Sequence, residues 1–366
     1  MHSDIRLHRL DNVRGILIVL VVLGHIISYG ISLGIKVSVE IYESLYVFIY
    51  AFHMPLFIFI SGYFHRNKKI LNKVFYYLVL YVALSLFLYI TKLVLGIETD
   101  DFSLFTDVGG VQWYLLALAV FIAVTYVFRN FNRALVLGLA IVLALVVGYD
   151  DGVNDFLSIS RIIVFFPYYW AGYCLQDNKK FESVLSAEND GDKPQNFAKR
   201  RDVILRIAGI AIIVSWALFC FLDNKDAFEL KPFFTARRSY NGYYGESIDG
   251  LLLRLLAYAL GALTSLAIIF IAPRGKVRGL TVLGERSISV YFWHRPFIVL
   301  LDFIGILDLF FCFGWGVAAS VILAVIFSAI FGQNIFYKPF VFLRKKIFEI
   351  DFSKINRKKT KNAEKS

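Results

Sequence analysis

Residues 9–30 read RLDNVRGILIVLVVLGHIISYG. From Gly15 to Gly24 no side chain is polar, and the apolar run is continuous instead of alternating. A continuous run of about twenty residues, at about 1.5 Å per residue, is what a helix needs to cross a bilayer. Alternation would have pointed to a barrel strand. Asp11 or Asn12 stands where a helix N-cap is expected. Arg14 then marks one boundary of the membrane, and His25, eleven residues on, lies about 16 Å deeper. Eleven residues are close to three turns, so both side chains share a face. A cation at the rim and a titratable imidazole near the midplane, aligned along one wall, suit a long ligand that enters from the Arg14 side.

Nine further apolar runs follow, near 41–63, 74–96, 111–128, 132–149, 156–175, 203–222, 248–272, 286–307 and 313–336. The 366 residues are 58% apolar and only 18% charged, against about a quarter charged in soluble domains. Too little polar surface is available to cover a soluble enzyme of this length. With Phe 36, Tyr 21 and Trp 5, the aromatic content excludes disorder as well. The expected fold is all-α, a polytopic integral membrane protein of about ten transmembrane helices. The first run is too long for a signal-peptide core and leads straight into a multi-span pattern, so it is expected to stay in the mature protein.

A net charge of +11 invites a nucleic-acid reading, and the distribution of the charges removes it. With the N-terminus inside, six inner segments hold 30 of the 39 Lys and Arg and 12 of the 28 Asp and Glu, a net of +18 that leaves −7 for the remainder. Basic residues accumulate on the cytoplasmic side, so both termini are expected there. The loops at Glu98, Asp100, Asp101 and Asp107 and at Asp150, Asp151 and Asp155 are acidic and fall outside. Residues 1–337 read as one transmembrane domain, with a mixed-charge cytoplasmic loop at 176–202 and an outer loop at 223–247 that carries Arg237, Arg238, Tyr240, Tyr243 and Tyr244. Residues 338–366 read as a basic cytoplasmic tail attracted to anionic lipid. Cys174, Cys220 and Cys312 lie in apolar runs without paired spacing and read as small buried hydrophobes, not as metal ligands or a disulfide.

Ionisable side chains at membrane depth are costly and therefore candidates for function. His25, His53 and His294 fall inside runs, as do Arg254 and Arg295, with Arg14 and Arg161 at run ends. Taken singly, Arg14 reads either as a snorkelling anchor or as a ligand for an anion. A membrane His is either an interhelical hydrogen-bonding group or a catalyst. His-Met-Pro at 53–55 must disturb its helix, because Pro55 removes one backbone donor and frees the carbonyl near Ala51. Tyr291 and His294 are three apart and share a face. They line a polar cavity or form a structural hydrogen-bond pair. Gln112, Trp113 and Tyr114 read as an amide and aromatic platform for a sugar ring or as part of an aromatic belt. Glu43, Asp249 and Asp302 are possible partners for the arginines, with no pairing fixed.

The stretch RLDNVRGILIVLVVLGH resembles the start of the membrane acyltransferase-3 family, whose signature is Arg, ten residues, then His in the first transmembrane helix. The likeness continues in FHMPLFIFISGYF at 52–64, VQWYLLAL at 111–118, FFPYYWAGYCL at 165–175 and LGERSISVYFWHRPF at 283–297. Within that family it is most similar to the sugar O-acetylases related to fucose 4-O-acetylase. The resemblance implies transfer of an acyl group, usually acetyl from cytoplasmic acetyl-CoA, to a hydroxyl of a sugar or envelope glycan in a bacterial plasma membrane. It implies no permanently bound cofactor. An alcohol needs a base to take its proton as it attacks a thioester, and histidine, with an ordinary pKa near 6.5, suits that task. His25 is the expected general base, an acetyl-histidine being the covalent variant. Arg14 is expected to hold a CoA phosphate. His53 would orient the acceptor, Ser61 and Gly62 would allow close backbone approach to the ligand, and Gln112, Trp113, Tyr114, Tyr291 and His294 would complete the substrate site. The chain ends soon after the tenth run, so transfer is expected to be completed within the membrane domain. A transporter or flippase for envelope saccharides, using the same polar cavity without chemistry, is the rival expectation.

Overall fold

The computed structural model describes residues 7–32, 39–97, 102, 104, 110–152, 156–186, 195–237, 239–240, 249–311 and 313–352, with side chains at 195–199 left aside. Tyr243, Tyr244, Arg238, Glu98, Asp100, Asp101, Asp107, Asp155, Cys312 and the tail from 353 onward lie outside the described residues. Among the described residues every regular element is helical. In chain order they are α1 (His8–Ser32), α2 (Val39–Tyr50), α3 (His53–Tyr63), α4 (Ile70–Val94), α5 (Trp113–Phe128), α6 (Arg133–Val146), α7 (Ile159–Cys174), α8 (Lys179–Leu185) and α9 (Gln195–Leu222). They continue as α10 (Asn224–Glu229), α11 (Lys231–Thr235), α12 (Asp249–Ile271), α13 (Arg278–Glu285), α14 (Ser287–Phe303), α15 (Ile306–Phe311), α16 (Gly316–Phe331) and α17 (Asn334–Glu349).

Each of the ten apolar runs is helical. Among the described residues five helices are long and apolar enough to cross a membrane (α1, α2 with α3, α4, Arg200–Leu222 and α12), and a sixth span results if α16 and α17, bent by 53°, are taken together. The segment 39–63 breaks at Ala51 and Phe52. Pro55 cannot donate to Ala51, and the helix restarts at His53, as its His-Met-Pro sequence requires. The N-cap expectation for α1 is corrected: the helix begins at His8, so Asp11 and Asn12 lie inside it. Asn12 donates instead to the part-buried carbonyls of Pro273 and Gly275, between α12 and α13.

α1 stands at the centre and buries polar residues as well as apolar ones, Arg9 and Asn12 among them. Its first turns dock on α13 through two glycines. A Cβ at Gly15 would lie 2.2 Å from the Leu280 carbonyl oxygen, and one at Gly284 would lie 1.8 Å from that of Asp11. A second glycine seam joins α3 to α7, where a Cβ at Gly62 would meet the Tyr169 carbonyl at 1.9 Å and one at Gly172 the Phe59 carbonyl at 2.1 Å. Small residues that let backbones touch are the usual basis of helix association in lipid, where no hydrophobic force acts between helices. The basic segment past 337 starts inside α17, which packs on α4. Asn72 donates to Ile347 and Ile350 carbonyls at 2.7 and 2.9 Å, and Lys69 to Phe348 at 2.9 Å.

Candidate active site

The end of the molecule that holds the α1 N-terminus is tied together by arginines. Arg9 is fully buried and donates to the carbonyls of Ala272, Phe270 and Val184 at 3.0, 2.6 and 2.5 Å. Asp202 receives Arg206 at 3.0 Å, Arg274 at 3.1 Å and Arg9 at 3.6 Å. Asn12 donates to Pro273 and Gly275 at 2.9 and 2.8 Å and accepts from Thr281 at 2.6 Å. Arg14 donates to Ser287 Oγ at 3.1 Å and lies 3.6 Å from Asp11, with its side chain 28% exposed. The RLDNVRG segment and the segment from 270 to 287 are thus two faces of one joint.

The other half of α1 faces a cavity of about 230 Å³. His25, Ser28, Tyr29 and Ser32 line it from α1, and Tyr46, Tyr50, His53 and Met54 from α2 and α3. Gly110, Trp113, Arg161 and Phe165 complete one wall, Phe234, Thr235 and Arg237 form another beside α11, and Tyr291 and Arg295 come from α14. α11 is held over this space by buried Arg254, which donates to the Phe233 carbonyl at 2.9 Å and faces the Phe233 and Tyr240 rings. Arg254 therefore meets a carbonyl and ring faces, not Asp249. Arg161 lies over the Trp113 ring at 5.2 Å, Asp302 is in hydrogen-bonding reach of Tyr29, and Lys231 acts electrostatically on Glu43.

Two further histidines, His294 and His53, stand near His25. The His294 ring lies 5.3 Å from it, centre to centre, and His53 acts on it electrostatically. His294 Nδ1 donates to the Val290 carbonyl at 3.1 Å and His53 Nδ1 to that of Ile49 at 2.9 Å. A carbonyl only accepts, so both rings carry their proton on Nδ1 and keep Nε2 as an acceptor. His294 Nε2 is buried without a hydrogen-bond partner among the described residues. Tyr291 lies 5.9 Å from His294, ring to ring, and its hydroxyl donates to the Val111 carbonyl.

Not all the expected site residues line the cavity. Trp113, His53, Tyr291 and His25 do. His294 stands directly behind His25. Gln112 is buried at the start of α5, and Tyr114 is packed between Tyr291, at 5.2 Å, and Ser61, whose Oγ is 3.1 Å from its hydroxyl. Gly62 is occupied by the α7 seam, and Arg14 is at the opposite end of α1. At sixteen residues α5 is about 24 Å long, short of a bilayer core of about 30 Å. Its start, at Val111 and Gln112, is buried in protein beside the cavity. Trp113 is thus a cavity-wall residue, whereas Tyr114 is packed against Ser61 and Tyr291.

Several lining residues escaped the sequence reading. Ser28, Tyr29 and Ser32 follow His25 at helical spacing, and Tyr46 and Tyr50 precede His53 by seven and three, so a signal existed in the face they share. Arg237 carried none, because it lies beyond a helix end. His65 was also missed. It is buried, with Nδ1 2.9 Å from the Tyr169 hydroxyl and Nε2 2.9 Å from Asn67, and that burial lowers its pKa below the ordinary histidine value although Asn67 opposes the shift. Among the described residues no cluster of three metal-ligating side chains occurs.

A family model described as an acyltransferase domain matches residues 7–333. No curated protein and no solved structure shows a match to the chain.

Proposed function

The chain belongs to the acyltransferase-3 family and is a multi-pass membrane acyltransferase, and from that premise we propose that it moves acetyl from acetyl-CoA to a hydroxyl of a sugar or envelope glycan, with His25 as general base. The proposed setting is a bacterial plasma membrane crossed ten times, with both termini cytoplasmic, and the proposed subgroup is that of the fucose 4-O-acetylase-like sugar O-acetylases. The observation that carries the reading is the placement of His25. Its ring forms part of a cavity wall built from tyrosines, Trp113 and arginines, surroundings that suit a saccharide, while its own helix runs on to Arg14 at the basic end.

In the proposed reaction the acceptor hydroxyl attacks the thioester carbonyl carbon as His25 takes the hydroxyl proton. The carbon–sulfur bond breaks, and the thiolate leaves and recovers that proton from the imidazolium, so acetyl ester and CoA thiol are the products. Arg14 would hold a CoA phosphate at the basic rim. The acetyl-bearing arm would then have to span about 16 Å along α1, past Ile18 and Val21, which are packed in the core, so neighbouring helices would have to part to admit it. His53 and Tyr291 would position the sugar, and the acceptor nitrogen of His294 would fix the orientation of His25 or of the acceptor. The test is purified protein in liposomes with labelled acetyl-CoA and envelope glycan. Labelled ester in the glycan is the expected outcome. Saccharide crossing without donor, and no ester with it, would replace the reading with transport.

A further inference from the structure

His294 is fully buried in α14, and its two ring nitrogens are in different circumstances. Nδ1 donates to the Val290 carbonyl, one helical turn back, at 3.1 Å, so the ring carries its proton there and Nε2 is a bare acceptor. That nitrogen is buried and has no hydrogen-bond partner among the described residues. A buried polar atom left unpaired is costly and calls for an explanation, a catalytic role among them. Tyr291, three residues back, gives its hydroxyl proton to the Val111 carbonyl and has no other to offer. His294 is not one of the cavity-lining residues, so a ligand seated in the cavity meets His25 first. His25 does line it, and its ring stands 5.3 Å from that of His294, centre to centre, with the planes inclined by 33°. From that separation a modest turn of the His25 ring can bring a nitrogen of each within the roughly 2.7–3.2 Å of an N–H hydrogen bond. Catalytic hydrogen bonds commonly tighten in this way when substrate binds.

We propose that His25 and His294 form a dyad, in which an N–H of His25 donates to Nε2 of His294 and the other nitrogen of His25 is thereby held unprotonated towards the cavity. The inference rests on the acetyltransferase reading for the task of His25, and it adds the group that sets the tautomer and orientation of that base. The proton balance of the reaction is unchanged. The hydroxyl proton moves to the free nitrogen of His25 as the oxygen attacks the thioester carbon, and the same proton passes on to the departing thiolate. While the ring is an imidazolium, its bond to His294 is charge-assisted and stronger than the neutral bond it replaces. His294 thus favours the transition state over the ground state, as acceleration requires. It touches neither donor nor acceptor and is a positioning residue. A carboxylate does this work in the serine hydrolase triad. A neutral imidazole does it without adding a charge at membrane depth.

The test uses the full-length protein in nanodiscs and two substitutions. His294→Phe keeps a ring and removes the acceptor, whereas His294→Gln keeps an acceptor near the Nε2 position. With labelled acetyl-CoA and envelope glycan, His294→Phe should lower kcat roughly 10–100-fold, the range for a hydrogen bond to a charged group, with each KM little changed. His294→Gln should recover most of that loss. A second readout needs no substrate. Diethyl pyrocarbonate acylates an unprotonated imidazole nitrogen, and peptide mass spectrometry reports its rate at His25 and at His53 separately. His53 also lines the cavity but gives its own proton to the Ile49 carbonyl, so it serves as an internal control. Modification of His25 should slow several-fold in His294→Phe and recover in His294→Gln, while His53 keeps the wild-type rate. A loss that His294→Gln fails to relieve, or a slowing of His53 together with His25, marks lost packing and overturns the proposal. The two readings fail separately. No labelled ester from the wild-type protein, with His25 modification still governed by residue 294, removes the acetyltransferase reading and keeps the dyad. Equal kcat in all three proteins keeps the enzyme and removes the dyad.

Discussion

In the first half of α1, Arg9, Asn12 and Arg14 donate to carbonyls and a hydroxyl between residues 184 and 287. In the second half, His25, Ser28, Tyr29 and Ser32 face open space. One helix thus carries both a joint and the wall of a chamber. In the joint Arg9 and Asn12 are satisfied by protein carbonyls, and this makes them structural. Beside the cavity, His294 Nε2 is buried without a hydrogen-bond partner among the described residues, an acceptor kept in reserve. Arg14 is intermediate, tied to Ser287 and yet partly exposed, which suits a residue that changes partners when a donor arrives.

The largest expected effect falls on the chamber. His25→Ala should lower acetyl transfer by about 10²–10⁴-fold, the usual contribution of a positioned base, with an unchanged melting temperature in detergent. A large loss of stability with intact specific activity would reverse the contrast. Arg9→Met should show the opposite pattern. It leaves the Ala272, Phe270 and Val184 carbonyls without their donor and takes one of three arginines from Asp202, at a cost of about 1–3 kcal/mol, and thermal unfolding should detect it even where the surviving folded enzyme turns over normally. Arg14→Ala should lie between the two, raising KM for acetyl-CoA by roughly 10–100-fold, the range for a charge-assisted hydrogen bond, with little change in kcat. A fall in kcat at constant KM would argue against phosphate binding at that end.

The smallest effect concerns His65, outside the spanning helices. Its folded pKa lies below the ordinary value of about 6.5, so below that pH the unfolded chain gains a proton that the folded protein does not. Stability should therefore decline as pH drops below about 6.5 and stop declining once pH has passed through the folded value. His65→Gln should flatten that part of the melting profile. An equal pH dependence in the variant would place the titration elsewhere.

The membrane class of the protein and its helical runs were legible in the sequence, because lipid forces each backbone to satisfy itself within its own segment. His25 was legible for the same reason, since so few ionisable groups stand in those runs. Centrality was not. The first span and Arg200–Leu222 are both long and apolar, yet 56% of one and only 17% of the other are buried inside the protein. An apolar side chain is as suited to lipid as to a neighbouring helix, so hydrophobicity cannot tell the two surfaces apart.

The quoted segments illustrate the same division. RLDNVRG and LGERS looked like separate features, and only the packed molecule shows that Gly15 and Gly284 bring them into backbone contact. Gly62, read as an opening for a ligand, is filled by the Tyr169 carbonyl. Spacing along one helix fixed that Arg14 and His25 share a face and how far apart they stand, because helical geometry is local. Which of the two would be held by protein and which left facing a cavity depended on residues more than 250 positions away. Arg237, Arg161 and Arg295 converge on His25's cavity for the same reason. Side chains from separate elements meet only through tertiary packing, and no periodicity in the chain encodes that meeting.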